Sequence, residues 1–271
     1  MSEQEERALD ALKLKIQQDR GFNCRFYKDK CLRRRLAVRM RARGEETFAG
    51  YARLLDEDPA EYDLLLDALT INVTKFFRNR EVWEAIGREV LPALFDRPDP
   101  DLRVWSAGCA SGEEAYSVSM LLHDFAERNR RERDLKRFHI TGTDIDRRSL
   151  DAARRAEYTD LSFTETPPDV QEKWFSPGPP FRLDDRARAN VGFLWKDLIS
   201  GEPEHDQSLI LCRNVIIYFD REIQEELFRR FYDALRPGGF LVMGKVETLL
   251  GPTRPLFRPV SSRERIFQKP A

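Results

Sequence analysis

A short segment of small and acidic residues is the clearest place for chemistry in this 271-residue sequence. It runs Ser-Ala-Gly-Cys-Ala-Ser-Gly-Glu-Glu over Ser106–Glu114, directly after an apolar run. Small residues such as Ala107 and Gly108 let a backbone approach a ligand closely. The pattern is not the G-x-G-x-x-G fingerprint of a pyrophosphate loop. The carboxylates of Glu113 and Glu114 would repel phosphate and suit a cationic ligand, or they only complement a helix dipole.

A second acidic segment, Thr143-Asp144-Ile145-Asp146, ends the next apolar run. A carboxylate at that position of an α/β sheet can accept both hydroxyls of a ribose. We assign this role to Asp144 and the capping of the following helix to Asp146, although the two could exchange roles. The two segments together predict a site for a nucleoside with a positive appendage. S-adenosylmethionine has a sulfonium, an ammonium and a ribose, whereas nicotinamide cofactors carry a pyrophosphate and fit less well.

The elements that must position these acids alternate between strands and helices. A short apolar run predicts a strand at Leu102–Ala107, and further strands are predicted at His139–Thr143, Ser208–Cys212 and Phe240–Met243. Arg265–Gln268 is short and β-capable and could pair as a last strand. Apolar residues at helical spacing predict helices at Glu113–Arg128, Arg147–Ala156 and Asp220–Leu235. This rhythm predicts an α/β fold in which helices cover a parallel sheet and ligands bind beyond the carboxyl ends of the strands.

The chain divides by pattern into three parts. Residues 1–70 contain only helical patterns and predict an all-α N-terminal domain. Residues 71–100 form an inter-domain link and a helix, and residues 101–271 form the α/β domain. Within the α/β domain, residues 159–190 are rich in proline and charge and are interpreted as an insertion.

The N-terminal domain contains one strongly basic helix. Between Arg20 and Arg43 there are ten Lys or Arg residues and a single acid, Asp29, so this segment carries a net charge of +9. Leu32, Leu36 and Met40 recur at helical spacing and predict a buried face. The rest of the surface is basic, with Arg33, Arg34, Arg35, Arg39 and Arg41 spread around it.

Composition excludes several classes of protein. The whole chain has 46 Lys and Arg against 47 Asp and Glu, so a general nucleic-acid binder is disfavoured. No run approaches the roughly 18 apolar residues of a membrane span, and the acidic start lacks the apolar region of a secretory signal. The four cysteines and three histidines lack metal-ligand spacing. We therefore expect a cytoplasmic protein without a metal or membrane insertion, and a monomer by default.

Four longer motifs occur in a fixed order and carry a resemblance. They are Asn72–Arg78 (NVTKFFR), Trp105–Ser117 (WSAGCASGEEAYS), Gly142–Asp146 (GTDID) and Cys212–Phe219 (CRNVIIYF). Over nearly the whole chain, the sequence resembles the chemotaxis receptor glutamate methyltransferases, the CheR family. The resemblance implies a Rossmann-like S-adenosylmethionine-dependent methyltransferase sheet, a small all-α N-terminal domain and a small β insertion. It also implies methylation of glutamates in transmembrane chemoreceptors, giving methyl esters and S-adenosylhomocysteine for adaptation in bacterial chemotaxis.

The resemblance implies roles for individual residues. The family positions that reach the cofactor and active site from the link correspond to Asn72, Thr74 and Arg78. One acid of the Glu113 and Glu114 pair would contact the methionyl part, with Glu114 favoured, and Asp144 would hold the ribose. The adenine would lie beside Asp197 and Leu198, and Asn214 with Val215 would complete the pocket. We expect Arg78 to orient the receptor carboxylate, with Tyr218 as a lesser partner or pocket wall, unless Arg78 only forms an inter-domain salt bridge.

The partners implied are the acidic cytoplasmic methylation helices of chemoreceptors, for which the basic helix is a suitable counter-surface. In some family members the insertion docks a peptide at the receptor's C-terminal tail, and the residues here leave that question open.

Two positions depart from the family pattern. Asp197 replaces the usual Asn and loses an amide donor beside the adenine. The segment Gly244-Lys245-Val246-Glu247 replaces Gly-His-Ser-Glu, so no role of that histidine is transferred.

Two other functions remain open. One is a methyltransferase for another protein or a small molecule. The other is a non-catalytic cofactor-binding signalling module that uses the basic domain as an RNA or partner clamp.

Overall fold

A computed structural model describes residues 3–70, 72–202 and 204–271. The chain forms two compact units. The first, the helical unit, comprises Met1–Ile71 together with Tyr218–Ile223, and the second, the sheet unit, comprises Asn72–Ile217 together with Gln224–Ala271. The division by sequence pattern placed Tyr218–Ile223 in the α/β domain, whereas in the structure this segment belongs to the helical unit.

Four α-helices build the described part of the helical unit. Their bounds are α1 Glu3–Arg20, α2 Asp29–Arg43, α3 Phe48–Glu57 and α4 Glu61–Leu69. One apolar face of each helix is buried, as with Leu32, Leu36 and Met40 of α2. Gly44 ends α2 in the left-handed conformation, and the Thr47 hydroxyl begins α3 by accepting the Gly50 N–H.

The segment from Tyr218 to Ile223 joins these helices through the turn that follows α1. Tyr27 and Phe219 form an isolated antiparallel bridge, and their rings meet edge to face with centroids 5.0 Å apart. The N–H of Asp220 also donates to the C=O of Phe26. Phe219 is buried by these contacts.

A seven-stranded sheet forms the centre of the sheet unit. The strands of this unit are β1 Leu102–Ala107, β2 Phe138–Asp144, β3 Glu157–Tyr158, β4 Phe181–Arg182, β5 Val191–Trp195, β6 Gln207–Cys212, β7 Leu235–Met243, β8 Arg258–Ser261 and β9 Ile266–Gln268. The remaining helices of the chain are α5 Arg80–Ala85, α6 Leu91–Phe95, α7 Glu113–Asn129, α8 Arg147–Arg155, α9 Pro168–Trp174, α10 Asp185–Arg188 and α11 Arg221–Ala234, with a π-helical turn at Ile86–Val90 between α5 and α6.

The large sheet has the strand order β5-β2-β1-β6-β7-β9-β8. Strands β5, β2, β1, β6 and β7 are parallel, whereas β9 runs antiparallel to both of its neighbours. From β1 the chain first adds β2 and β5 on one side and then returns to add β6 and β7 on the other side. The strand order therefore reverses between β1 and β6. Ligands bind at such a reversal in open α/β sheets. The predicted α/β class is confirmed. Within this sheet, the sequence prediction missed two strands, β5 and β8.

The insertion contains a small β structure, as the family resemblance implied. Strand β3, directly before residues 159–190, pairs with β4 inside them, and a bridge between Phe175 and Leu183 extends the pair. Helices α9 and α10 and a 3₁₀ turn at Asp160–Phe163 accompany these strands. Phe163 and Phe175 pack on Phe76 in a buried aromatic cluster, so side-chain packing supports this segment more than strand pairing does.

Across the three described ranges, every helix is too short or too polar to cross a lipid bilayer.

Candidate functional site

The loop that follows β1 lies on the carboxyl end of β2. The N–H groups of Gly108 and Cys109 both donate to the C=O of Thr143, at 2.8 and 3.0 Å. The Ala110 N–H donates to Oδ2 of Asp144 at 2.8 Å. These bonds fix the loop directly beside the acid that ends β2, so two of the segments singled out in the sequence meet at one edge of the sheet.

Gly108 brings this loop against the loop that follows β6. Its φ of 77° is a left-handed value, and a Cβ at this position would lie 2.5 Å from Cγ2 of Val215. Any other residue at 108 would be strained and would also push the two loops apart. Two predicted cofactor residues, Gly108 and Val215, are therefore in direct contact.

The two acids that open α7 point to different partners. Glu113 accepts from the Ser111 hydroxyl at 2.7 Å and from the Ser162 hydroxyl of the insertion at 3.2 Å. Glu114 accepts from the Ser106 hydroxyl at the end of β1, at 2.8 Å. Burial raises the pKa of both carboxyls. Glu113 therefore links the insertion to the loop, whereas Glu114 lies beneath the loop at the end of β1.

Arg213 is a site residue for which the sequence analysis made no prediction. Its Nη1 lies 3.3 Å from Oε2 of Glu114, and its Nη2 donates to the C=O of Arg78 at 2.6 Å. The guanidinium also lies 5.4 Å from the centre of the Trp83 ring. Burial dominates the raised pKa of Glu114, and the positive charges of Arg213 and Arg78 act against it. The sequence feature that could have indicated this role is the position of Arg213 directly before Asn214, within the motif Cys212–Phe219.

Arg78 stands in a turn that is held from several sides. The residues on either side, Phe77 and Asn79, have left-handed φ values of 53° and 59°. The Phe77 N–H donates to the Ser117 hydroxyl at 3.1 Å, and the Asn79 N–H donates to Glu165 at 2.6 Å. Such backbone conformations persist only where the surroundings impose them, and they often mark functional positions.

The Arg78 guanidinium itself makes a local contact. Its Nη1 donates to the C=O of Val73 at 2.9 Å, and the side chain is partly exposed. Thr74, which lies between Val73 and Arg78 in the sequence, is half-buried like Arg78. The segment thus presents a cation whose backbone is fixed and whose charge remains accessible.

The carboxylates of Asp144 and Asp146 have separate roles. Asp146 caps α8 by accepting the Arg148 N–H at 2.9 Å, and it also accepts from Nδ2 of Asn72 at 2.5 Å. Asp144 accepts the N–H of Ala110 on one oxygen and that of Asp146 on the other. The N–H of Ile145 also acts on this carboxylate. A carboxylate offers roughly four lone-pair sites, so a diol could still bind there. Asn72 reaches this acidic pair from the link.

Asp197 forms a tight turn after β5. Its Oδ1 accepts the Ile199 N–H at 2.9 Å, and its Oδ2 accepts from the Ser200 hydroxyl. The preceding residue, Lys196, donates its N–H to the C=O of Asp144 at 3.0 Å. The turn that contains Asp197 and Leu198 is therefore anchored beside the end of β2.

Asn214 offers an acceptor without a partner. It has a left-handed φ of 63°, and its side-chain Oδ1 is buried and makes no hydrogen bond within the described ranges. An unsatisfied buried carbonyl oxygen is costly unless a ligand or water completes it. Asn214 and Val215 therefore fit a pocket that is completed by a bound molecule.

Tyr218 lies in the helical unit. Its C=O accepts the Lys28 N–H at 2.8 Å, and its ring lies 5.3 Å from the guanidinium carbon of Arg35. Arg78 belongs to the sheet unit, and the predicted pairing of Arg78 with Tyr218 remains a prediction.

The five arginines predicted for receptor binding divide into internal and exposed groups. Arg35 donates to the C=O groups of Ala68 and Leu69, both at 2.8 Å. Arg39 makes two hydrogen bonds to the buried Glu61, at 2.9 and 2.8 Å. These two side chains join α2 to α4, so the structure corrects the expectation that they spread over a free surface.

The remaining three arginines lie nearer to solvent. Arg33 pairs with Asp29 of its own helix and is partly exposed. Arg34 is exposed, and Arg41 is exposed while it donates to the C=O of Ala37 one turn earlier.

Within the described ranges, no three His, Cys, Asp or Glu side chains converge in a way that could hold a metal ion. The site instead consists of a buried acid, a buried arginine and small residues around the reversal in strand order. A sheet of this kind, with an acid after each of its first two strands, defines a class: the nucleoside-binding α/β transferases that use S-adenosylmethionine.

Comparison with known proteins identifies the family. Residues 72–266 match the S-adenosylmethionine-binding domain of CheR methyltransferases, and residues 7–70 match the all-α domain of the same methyltransferases. The chain therefore belongs to the CheR methyltransferase family, and the predicted family, cofactor and enzyme class are confirmed.

Named relatives extend along most of the chain. The chemotaxis protein methyltransferase of Listeria monocytogenes is 32% identical over 238 residues, 88% of each chain. The chemotaxis protein methyltransferase of Borreliella burgdorferi is 29% identical and covers 85% of this chain and 84% of its own. Chemotaxis protein methyltransferase 1 of Pseudomonas aeruginosa is 33% identical over 193 residues, with 69% and 70% coverage.

Proposed function

We propose that this enzyme methylates glutamate side chains in the cytoplasmic methylation helices of transmembrane chemoreceptors, using S-adenosylmethionine. The products are glutamate methyl esters and S-adenosylhomocysteine. One observation carries the proposal: buried Arg213 joins Glu114, an acid suited to a cationic cofactor, to the backbone of Arg78, a cation suited to a carboxylate substrate. Homologues named chemotaxis protein methyltransferase support the same substrate class.

The residues around the reversal in strand order fit S-adenosylmethionine. The unpartnered Oδ1 of Asn214 can accept from a polar N–H, and the carboxylate of Asp144 suits the ribose hydroxyls. Glu113 and Glu114 suit the positive charges of the methionyl part. Asp197 would lie beside the adenine with Leu198, with both of its oxygens already accepting hydrogen bonds from its own turn.

The chemistry of the reaction requires little from the side chains beyond position. When bound, S-adenosylmethionine supplies a methyl group on a sulfonium, which a carboxylate oxygen attacks in line as the carbon–sulfur bond breaks. A glutamate with a reference pKa near ~4.3 is already an anion at neutral pH, so no general base is needed. Near-attack alignment can contribute roughly 7–11 kcal/mol.

Arg78 is the residue best placed to orient the incoming carboxylate. Arg213 holds the C=O of Arg78, while Ser117 and Glu165 hold the N–H groups of the adjacent Phe77 and Asn79. The backbone from which the guanidinium extends is therefore fixed. A very strong ion pair would stabilise the ground state and slow the attack, so Arg78 acts as a positioner and not as a neutraliser. The role predicted for Tyr218, a lesser partner of Arg78 or a pocket wall, remains a prediction.

The exposed face of α2 is the proposed receptor contact. Lys30, Arg34 and Arg41 are exposed and fall within roughly 40° of one another on the helix, given 3.6 residues per turn. Val38, 50% exposed, lies at the edge of this stripe, roughly 40° beyond Arg34. A basic stripe with one apolar residue suits an acidic amphipathic helix.

The short strands of the insertion argue against a receptor tail peptide being required for methylation. Extended peptides bind by adding a strand to a sheet edge, and main-chain hydrogen bonds supply much of their affinity. Strands β3 and β4 have two residues each, so they offer a very short edge. We propose that recognition rests on the methylation helices.

Methyl transfer to a receptor fragment tests the function. The purified enzyme is incubated with labelled S-adenosylmethionine and a chemoreceptor cytoplasmic fragment whose candidate glutamates are intact or replaced by glutamine. We expect a base-labile label with the intact fragment and none with the glutamine fragment, which identifies a glutamyl methyl ester.

Other outcomes would point to the alternatives. Label on small molecules or on other proteins, across a panel of receptors that stay unlabelled, would indicate a different methyl acceptor. Calorimetric binding of S-adenosylmethionine without any turnover would indicate a non-catalytic signalling module.

A further inference from the structure

Glu247 is a buried carboxylate in the loop that follows β7. Its side chain accepts the N–H of Gly244 on Oε2 at 2.6 Å and the N–H of Ile216 on Oε1 at 2.9 Å. The N–H groups of Asn214 and Ile217 also act on it. One carboxylate, 3% exposed, therefore gathers N–H groups from two loops.

The two loops meet closely at this point. A Cβ on Gly244 would lie 2.8 Å from both the N of Asn214 and Oε2 of Glu247. A side chain at 244 would therefore separate the loop after β7 from the loop after β6. The glycine and the carboxylate act together to hold the backbone of Asn214 against its neighbour.

The adjacent Lys245 takes no part in this arrangement. Its Nζ lies 2.9 Å from Glu81 on α5 and 3.7 Å from Glu264. The lysine that departs from the family pattern therefore points to α5, while Glu247 turns to the loop that follows β6.

We propose that Glu247 is a positioning residue for the cofactor. Its carboxylate collects the backbone N–H groups of the loop after β6 and so fixes Asn214 and Val215 in the pocket. This inference rests on the proposed contact of Asn214 and Val215 with S-adenosylmethionine. Glu247 acts through that loop and has no assigned contact with the reacting atoms.

Electrostatics makes this position sensitive to substitution. Burial raises the pKa of the Glu247 carboxyl, and the N–H groups of Gly244, Asn214, Ile216 and Ile217 oppose that rise. Glutamine has the same shape but only one acceptor oxygen, and its NH₂ group would face N–H donors. Donor facing donor is unfavourable, so the loop should open in that variant.

The experiment compares Glu247→Gln with a matched control, Glu61→Gln. Glu61 is also a buried carboxylate, 1% exposed, but it lies in the helical unit and accepts from Arg39 and Tyr51. Both proteins are titrated with S-adenosylmethionine by calorimetry, and amide hydrogen exchange is followed at Asn214, Ile216 and Ile217.

We expect Glu247→Gln to weaken S-adenosylmethionine binding about tenfold or more. Exchange at the three loop amides should accelerate, and the Michaelis constant for S-adenosylmethionine should change more than kcat. The control should lose thermal stability and keep its cofactor affinity. If Glu247→Gln does not fold, Glu247→Asp replaces it, and its shorter reach should weaken binding measurably.

Equal cofactor affinity and unchanged loop exchange in the folded variant would overturn the inference. A third variant, Asn214→Ala, separates this result from the pocket assignment. Unchanged affinity in Asn214→Ala would remove Asn214 from the pocket and the inference with it. Methyl transfer by the wild-type enzyme to a receptor is scored independently, so failure of the proposed function appears there and not in these titrations.

Discussion

Arg213 and Glu114 form a buried ion pair, with 3.3 Å between Nη1 and Oε2. Their side chains are 2% and 11% exposed. Glu114 also accepts from Ser106, and Arg213 also donates to the backbone of Arg78. A pair this buried contributes little net stability as a unit, but the loss of one partner leaves the other charge uncompensated.

Arg213→Met should destabilise the sheet unit strongly. The expected loss in free energy of unfolding is about 3–5 kcal/mol, because the Glu114 charge would stay buried without its partner. Denaturant unfolding followed by tryptophan fluorescence measures it. The double variant Arg213→Met with Glu114→Gln removes both charges and should recover part of the stability. A loss in the double variant as large as the sum of the single losses would show that the two charges are not coupled.

Arg78→Lys should bind S-adenosylmethionine with little change but turn over about tenfold or more slowly. Lysine keeps the positive charge but lacks the planar fork that can hold a carboxylate by two hydrogen bonds. Receptor methylation kinetics at saturating cofactor measure the effect, and calorimetry checks cofactor binding. Full turnover in this variant would remove Arg78 from the proposed mechanism.

Charge reversal on the exposed face of α2 should impair the encounter with the receptor. Arg34→Glu with Arg41→Glu should raise the receptor Michaelis constant about tenfold at low salt and leave cofactor affinity unchanged. The difference in receptor Michaelis constant between this variant and the wild type should decrease as salt is added, because salt screens exposed charges. Arg133→Glu, an exposed arginine of the sheet unit, serves as the control. An equal rise in the control would mean that net charge alone is responsible.

The helical unit should lose stability in acid through Glu61. Burial alone would raise the pKa of Glu61, but the hydrogen bonds from Arg39 and Tyr51 outweigh it and leave the pKa below its usual value of 4.5. A depressed carboxyl pKa contributes stability that is present above pH 4.5 and is lost as the pH falls through the folded-state value. Thermal unfolding of wild type and Glu61→Gln measures this. The stability difference between them should shrink below pH 4.5, and a constant difference would contradict the assignment.

A receptor without its C-terminal tail should be methylated as efficiently as the full-length receptor. The two-residue strands β3 and β4 provide too short an edge for strand addition to dominate affinity. Methylation of matched fragments, with and without the tail, measures kcat/KM directly. A marked drop for the shortened fragment would assign a docking role to the insertion.

The main architecture follows from hydrophobic pattern, and the two missed strands lie at the edges of the sheet. Strands β1, β2, β6 and β7 lie in the middle of the sheet and are mostly buried, so each contains apolar residues that mark it as a strand. Strand β5 reads VGFLW, an apolar run that the sequence analysis overlooked; it lies at an edge of the sheet, where Phe193 is its one buried residue. Strand β8 is the other edge and contains Pro259, which weakens a strand pattern.

The site was predicted less completely because several roles depend on tertiary partners. The positions of Glu114 and Asp144 follow from their place after strands, but the function of Arg213 depends on Arg78, far away in sequence. Helical spacing likewise cannot reveal that Arg39 is committed to Glu61. A charged residue in a basic segment is predicted to be exposed at the surface as long as its partner in the folded protein is unknown.

The return of the chain to the helical unit at Tyr218–Ile223 has a practical consequence. Two domains that are joined by one stretch of chain can be separated or exchanged by dividing the sequence at one position. The two units of this protein cannot, because the helical unit contains two separate segments of the chain. A truncated protein that starts at residue 72 would keep Phe219 and lose Tyr27, against which its ring packs. Chimaeras between relatives should therefore exchange Tyr218–Ile223 together with the N-terminal helices, as one inherited unit.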